Sequence, residues 1–339
     1  MADIQAKFHE LTWIERNRIA QGIMDPSPDH PWAIIQGPHT KLLDRYQNVH
    51  PWKHNRIRLR VPEGQNDYIN ASPITLKSAK TGKESKYIAM QGPKEGSISH
   101  VWRMIWDELT SPAVIVMLTE THEAGMEKCF PYFPSDPEAD PLVINENDEF
   151  GDGFKATVKC AEVDAHPQAP STEVRKLVMN VDGKKQEKII WHLLYTKWPD
   201  FGVLASEDLD GFFKLMDLSN QKNSGPENPR VIHCSAGVGR SGTFIALEYL
   251  MAELEAGALE PEPGEDDAEY DPIFDTVNRL REQRRTMVQA DSQYAFIYSV
   301  LRQLWEQKHP VVTHSIDKTT KGEPTAKVAK LGEMEDVFS

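Results

Sequence analysis

The chain has 339 residues, with 38 Lys and Arg against 52 Asp and Glu, for a formal charge of −14. Hydrophobic residues are 39% and charged residues 27%, a balance that suits a globular protein with a sizeable core. The acidic surplus argues against a nucleic-acid coat or a polybasic membrane binder, and leaves room for a local basic pocket. The longest strongly apolar run, Ala113–Leu118, is far shorter than the roughly 20 residues of a membrane helix. Residues 1–10 lack the apolar core of a signal peptide, and neither end carries a lipidation motif. Three cysteines, Cys129, Cys160 and Cys234, rule out a disulfide-rich scaffold, and the lack of a CxxC pair argues against a structural zinc site. A reducing compartment, the cytoplasm or the nucleus, is expected.

In chain order, Phe8, Leu11, Ile14 and Ile19 fall near one face of an N-terminal helix. The Pro-rich run Asp25–Pro31 stops it, and residues 32–45 resume as a short helix. Arg56–Val61 alternates charged with aliphatic residues, the period of a half-buried strand. Tyr68–Ile69 and Tyr87–Met90 predict further short strands. Ile98–Leu109 reads as a helix with Val101, Trp102, Ile105 and Leu109 inward, and Val114–Met117 as a central strand. Lys155–Cys160, Val174–Met179 and Lys188–Tyr195 predict an antiparallel meander. Residues 206–217 predict a helix and Arg230–Cys234 a short buried strand. A helix from about Arg240 to Glu255 closes at Gly257. Two more helices follow, at Asp275–Arg285 and Ser292–Gln307. Residues 260–271 hold seven acids and no base, the composition of an exposed insertion. Residues 309–339 are polar and read as a flexible tail. One α/β (α+β) domain over residues 1–308 is therefore expected.

One segment concentrates the chemistry: Val231-Ile-His-Cys-Ser-Ala-Gly-Val-Gly-Arg-Ser-Gly-Thr243. A strand ends at Cys234, a loop of little side-chain bulk follows, and a helix begins near Arg240. The backbone N–H groups of Ser235, Ala236, Gly237, Val238 and Gly239 are placed to curl around one anion. The helix N-terminus adds its positive dipole end, and Arg240 adds a planar donor matched to phosphate oxygens. The same donors favour a thiolate at Cys234 over the thiol and stabilise the equatorial oxygens of a phosphoryl group in transfer.

HCSAGVGRSGTF resembles the active-site loop of the cysteine-dependent protein tyrosine phosphatases, in the phosphotyrosine-specific, non-receptor branch. Four further stretches match the family's other motifs in family order: Asn66–Ser72, Tyr87–Pro93, Trp198–Val203 and Gln289–Gln293. The resemblance covers roughly residues 10 to 306 and implies a highly twisted mixed β-sheet flanked by α-helices. It implies that Cys234 is the nucleophile, Arg240 the phosphate chelator and Asp200 the general acid on a mobile loop flanked by Trp198. Ser241 matches the hydroxyl that stabilises the departing thiolate, and His233 a neighbour that tunes the cysteine. Gln289 matches the amide that positions the attacking water, and Gln293 a second amide near the phosphate. Lys128 matches the lysine that contacts the acid loop, and Glu123 falls where a carboxylate orients the arginine. Tyr46 matches the aromatic wall of a pocket deep enough for phosphotyrosine and too deep for phosphoserine.

The chain departs from the commonest family pattern at Gln47 and Asn48, which replace a frequent basic residue and a frequent Asp that binds peptide backbone. Lys197 and Leu204, on either side of the acid loop, replace a frequent Thr and Pro. The resemblance implies a monomer that hydrolyses phosphotyrosine in proteins through a cysteinyl-phosphate, with tyrosine-phosphorylated proteins, including activated kinases, as partners. No cofactor and no metal are expected, and the Gly-rich loop lacks the Gly-Lys-Ser/Thr of a nucleotide-binding P-loop. The competing reading is a phosphotyrosine-binding module without turnover; retention of Cys234, Arg240 and Asp200 argues against it. Tyr46, the N-terminal helices and the Gln289 segment argue against a sulfurtransferase or a dual-specificity phosphatase.

Overall fold

The computed structural model describes residues 2–25, 27, 29–35, 37–165, 169, 171–199, 202–259 and 271–310. The expected flexible tail from residue 311 onward, the acidic insertion at 260–270 and Asp200 lie outside these residues. The elements run α1 (Ala2–Met24), α2 (Pro38–Leu43), β1 (Ala71–Lys77), β2 (Glu84–Met90), α3 (Ile98–Glu108), β3 (Ala113–Met117), β4 (His122–Glu123) and β5 (Met126–Glu127). They continue β6 (Leu142–Ile144), β7 (Ala156–Ala165), β8 (Thr172–Val181), β9 (Lys188–Tyr195), α4 (Leu209–Lys222), β10 (Arg230–His233), α5 (Gly239–Glu255), α6 (Pro272–Gln283) and α7 (Asp291–Lys308).

Eight strands form one mixed sheet in the order β1-β2-β10-β3-β9-β8-β7-β6, and β4-β5 make a separate small hairpin. The four central strands β2, β10, β3 and β9 are parallel, in the register His233↔Met90, His233↔Met117 and Met117↔Leu194. The flanking pairs are antiparallel. Parallel strands are buried on both faces and read as continuous apolar runs, and all five residues of β3 are buried. Alternate residues serve two cores. Val114, Val116, Ile232 and Ala89 pack with Phe212, Phe244, Val277 and Ile297 of the helices α4 to α7. Ile115, Met117, Val231 and Ile88 pack with Trp102 and Ile105 of α3 and with Val158, Leu177 and Ile190 of the meander.

Most expected elements form, with displaced ends. Residues 206–208 make a 3-10 turn, and α4 then runs five residues beyond its expected end. The expected helix over 32–45 shrinks to α2. Arg56–Val61 is a correction: Ile57 and Leu59 are buried as the alternation requires, yet the segment makes only an isolated bridge, Arg58↔Tyr68. Its amides bond singly, Ile57 N–H to Ala71 O and Leu59 N–H to Asp67 O. The Tyr68–Ile69 strand is likewise only that bridge, and the true strand begins at Ala71. The α1 face is also rotated from expectation: Leu11 is fully buried, Ile14 and Ile19 only partly, and Glu15 and Arg18 are buried instead. The last acid of the expected insertion, Asp271, is structural. It caps α6 by accepting from Ile273 and Phe274 N–H at 3.0 and 3.1 Å, and it receives Lys7 Nζ at 2.8 Å.

A buried ion pair holds the central strands against the helices. Glu248 of α5 accepts from Arg230 Nη1 and Nη2 of β10 at 2.9 and 2.5 Å. It also accepts from the Tyr87 hydroxyl of β2 at 2.6 Å and from Asn220 of α4 at 2.8 Å. Removing one partner strands the other charge in the interior. Glu248→Ala is therefore expected to lower the unfolding free energy by about 3–5 kcal/mol, measured by urea denaturation.

Candidate active site

The four parallel strands all end on one edge of the sheet, where open α/β sheets bind their ligands. From the end of β10 the chain passes into Cys234. From β3 it passes through Leu118 and Thr119 to Glu123, from β2 into Gln91 and Gly92, and from β9 to Trp198. The residues expected from sequence to share a site are thus delivered by strand ends.

The loop after Cys234 is held by its carbonyls. Ser235 O accepts from Gly92 N–H at 2.9 Å, and Val238 O accepts from Val288 N–H at 3.1 Å and Gly242 N–H at 2.9 Å. Between them, Arg284 donates Nη2 to Ala236 O at 3.3 Å and Nε to Gly237 O at 2.9 Å. Four consecutive carbonyls are therefore tied to groups outside the loop. In a trans peptide the N–H points opposite to the C=O, so the amides of residues 236–239 face the other way, toward Cys234. Gly237 N–H indeed donates to Cys234 Sγ at 3.3 Å. The turn needs glycine at 237: φ is +70°, and a Cβ there would lie 1.9 Å from Met90 O. Gly242 lets α5 approach Val288, whose N would be 2.4 Å from an added Cβ.

Arg240, in the first turn of α5, meets Glu123 in a fork: Nη1 to Oε1 and Nη2 to Oε2, both 2.6 Å. Nη1 also reaches Leu118 O at 2.8 Å and Trp198 O at 3.5 Å. Thr119 Oγ1 donates to Glu123 Oε1 at 2.8 Å and fixes the carboxylate. The orienting carboxylate expected at Glu123 is thus in contact with Arg240. Ser241 is fully buried, and its Oγ finds no hydrogen-bond partner among the described residues.

His233 is buried and accepts or donates at both ring nitrogens. The Tyr132 hydroxyl lies 2.7 Å from Nε2, and Cys234 O lies 3.3 Å from Nδ1. Burial pulls the imidazole down to about 4 and pushes the Tyr132 phenol well up. Both groups are neutral at pH 7, which fits Tyr132 donating to Nε2 and Nδ1–H donating to the carbonyl. Cys129, next to Lys128, is pushed up to about 12, chiefly by burial, and stays a thiol.

Around this centre, the Tyr46 hydroxyl bonds Ser235 Oγ at 2.8 Å, and Ser235 Oγ donates to Lys128 O at 2.9 Å. Asn48, two residues on, is exposed, as is Gln47. Lys128 is buried. Trp198 anchors its loop: Nε1 donates to Gly202 O at 3.0 Å, and the ring sits edge-on to Phe212 at 5.1 Å. The two glutamines converge over the start of α5. A Cβ added at Gly239 would lie 3.0 Å from Gln293 Nε2 and 3.4 Å from Gln289 Oε1. Gln293 is tied down by Ala290 N–H at 3.2 Å, whereas Gln289 is exposed.

Three residues of this shell escaped the sequence reading: Tyr132, Asn70 and Arg284. Asn70 Oδ1 accepts from Arg284 Nη2 at 2.8 Å, and its Nδ2 donates to Asp44 Oδ1 at 3.0 Å. This links the segment that carries Tyr46 to the loop that carries Cys234. The only signals were that Asn70 lies inside a matched motif and that Arg284 closely precedes Gln289.

The sequence profile of the family described as protein-tyrosine phosphatase matches residues 41–303. Tyrosine-protein phosphatase 2 of Schizosaccharomyces pombe is 33% identical over 304 residues, covering 88% of this chain and 39% of that protein. Human tyrosine-protein phosphatase non-receptor type 2 is 30% identical over 301 residues, covering 88% of this chain and 65% of the relative. The chain thus spans less than two thirds of the length of either curated relative. The solved catalytic domain of human protein tyrosine phosphatase non-receptor type 18 superposes with a TM-score of 0.69 at 25% identity, covering 90% of this chain and 97% of that one. A structure of that phosphatase with a HER2 phosphopeptide superposes at 0.70, also at 25% identity, covering 90% of this chain and 93% of the other. The expected mixed sheet flanked by helices is the architecture of these structures. The chain belongs to the protein tyrosine phosphatase family.

Proposed function

We propose that this chain hydrolyses phosphotyrosine in proteins through a cysteinyl-phosphate, with the catalytic unit inside residues 1–308. The observation that carries the reading is the loop 235–238, whose carbonyls are all bound from outside. Its amides are left for the oxygens of a phosphoryl group whose phosphorus sits above Cys234 Sγ. Such donors are fixed before the reaction begins, so their alignment costs no reorganisation as charge develops.

Two displacements follow. Cys234 attacks phosphorus in line with the tyrosyl oxygen, an S–P bond forms and the P–O bond breaks. The leaving phenolic oxygen takes a proton from Asp200, whose role rests on the Trp198-Pro-Asp motif. Arg240, oriented by Glu123, binds two equatorial oxygens. Water then attacks the phosphorus, gives its proton back to Asp200, and Cys234 leaves as a thiolate. Ser241 Oγ, buried and unpartnered, donates to that thiolate. Gln289 positions the water, with Gln293 behind it. Tyr46 supplies the pocket wall that selects a phenyl ring over the shorter phosphoserine. Tyrosine-phosphorylated proteins are the partners, in keeping with the phosphopeptide bound by the non-receptor type 18 relative. Among the described residues no helix is long and apolar enough to cross a membrane. The exposed Asn48 offers a peptide backbone an acceptor without a charge, so peptide affinity rests more on the pocket than on its rim.

The deciding assay is hydrolysis of a phosphotyrosyl peptide beside its phosphoseryl twin. Wild type is expected to turn over the first alone, Cys234→Ser neither, and Asp200→Ala the first about 10²–10⁴-fold more slowly. A folded wild type without turnover, or one that hydrolyses both peptides equally, overturns the proposal. Loss of the carbonyl clamp should act on transition-state binding. Arg284→Met is expected to lower kcat/KM on the phosphotyrosyl peptide by about 10²–10³, the range for loss of one fixed oxyanion donor. Inhibition by inorganic phosphate should weaken alongside.

A further inference from the structure

Two β-branched residues near the site have left-handed backbones, Thr286 at φ +65° and Val288 at φ +56°. Such a conformation is unfavourable for a β-branched side chain and persists only where its surroundings enforce it. At Thr286 the enforcing group comes from the far end of the chain. Glu15, on α1 and 7% exposed, accepts Thr286 N–H at both carboxylate oxygens, at 3.0 and 3.1 Å. It also accepts Thr286 Oγ1–H at 3.1 Å. Arg281 Nε, 3.6 Å from the same carboxylate, donates to Met287 O at 3.0 Å, and its Nη2 donates to Val288 O at 3.0 Å. One carboxylate and one guanidinium thus hold residues 286–288 in their strained path. The segment runs directly into Gln289, whose amide oxygen stands over Gly239.

We infer that Glu15 is a positioning residue for the dephosphorylation half-reaction: it locks the 286–288 turn and thereby sets Gln289 against the attacking water. The inference rests on the phosphatase reading above. In that second displacement, water oxygen bonds to phosphorus, the S–P bond breaks, and the water proton passes to Asp200. Without the carboxylate, Thr286 loses both its acceptors and its backbone relaxes out of the left-handed region. The turn loosens at Thr286 and Gln289 leaves its station, while Arg281 still holds Val288 O and Val288 N–H stays on Val238 O, so the loop around Cys234 and Arg240, which serves the first displacement, is kept. The phosphoenzyme should accumulate.

The test is Glu15→Ala, alone and combined with Thr286→Gly, in pre-steady-state and steady-state hydrolysis of a phosphotyrosyl peptide. Glu15→Ala is expected to lower kcat about tenfold with kcat/KM held within about twofold, and to give a burst near one equivalent, the signature of a slowed second step. Glycine occupies positive φ without strain, so the double variant should recover most of the lost kcat. A merely structural carboxylate would lower the melting temperature without dividing kcat from kcat/KM, and glycine would restore nothing. Either that pattern or an unchanged kcat in a folded Glu15→Ala overturns the inference while the phosphatase reading stands. A wild type with no turnover overturns the phosphatase reading itself. Should Glu15→Ala not fold, Glu15→Gln keeps the volume and one acceptor oxygen, and is expected to lower kcat by a smaller factor with the same split; an unchanged kcat there overturns the inference equally.

Discussion

The site depends on one constraint: the carbonyls of residues 235–238 are bound by groups that do not belong to the loop. A flexible loop of small residues would otherwise turn its amides and carbonyls at random toward an anion. Each partner comes from a different part of the chain: Gly92 after β2, Arg284 after α6, Val288 ahead of α7, and Gly242 within α5. The parallel strands and the helices behind them place these groups, and Arg284 is itself held by Asn70. The shape of the loop, the proposed phosphate cradle, is therefore a property of the whole sheet edge, although its residues are contiguous.

The polar network around it is nested. Glu123 orients Arg240, and Thr119 orients Glu123. Tyr132 holds His233, which is neutral and bonded to the Cys234 carbonyl. Deeper in, Glu248 fixes Arg230 at the start of the strand that leads into Cys234. Buried polar networks of this kind rigidify when every member is satisfied. Ser241, next to Arg240, is an exception: its buried hydroxyl has no partner among the described residues.

The contiguous parts of the site were legible in the sequence because strand, cradle, cation and helix follow one another within thirteen residues, Val231 to Thr243 included. The meander and the amphipathic α3 were legible through their periodicity. What failed was local pattern without a partner. Arg56–Val61 buries its aliphatic residues as an alternating strand does, but among the described residues it finds only the single bridge to Tyr68 and no ladder. Conversely, β1 was invisible: Ser72, Pro73, Thr75 and Lys77 do not spell a strand, and Pro73 is tolerated because β1 lies at the sheet edge. Glu15 and Arg284 were illegible for a different reason. Their partners lie far off in sequence, and an acid on a helix face reads as solvated until the structure shows it buried.

The strand order carries a consequence for biosynthesis. Strand β10, which leads into Cys234, lies between β2 and β3, so neither of those strands can complete its pairing on that side until residue 233 has been made. A growing chain that holds everything up to α4 presents two open, apolar strand edges separated by a strand-wide gap. Unpaired edges of this kind invite pairing with other chains, and the long loops to be closed make such folding slow. Cys234, the proposed nucleophile, thus directly follows the strand that seals the fold, and a chain that stops short of it lacks both the proposed site and a closed sheet.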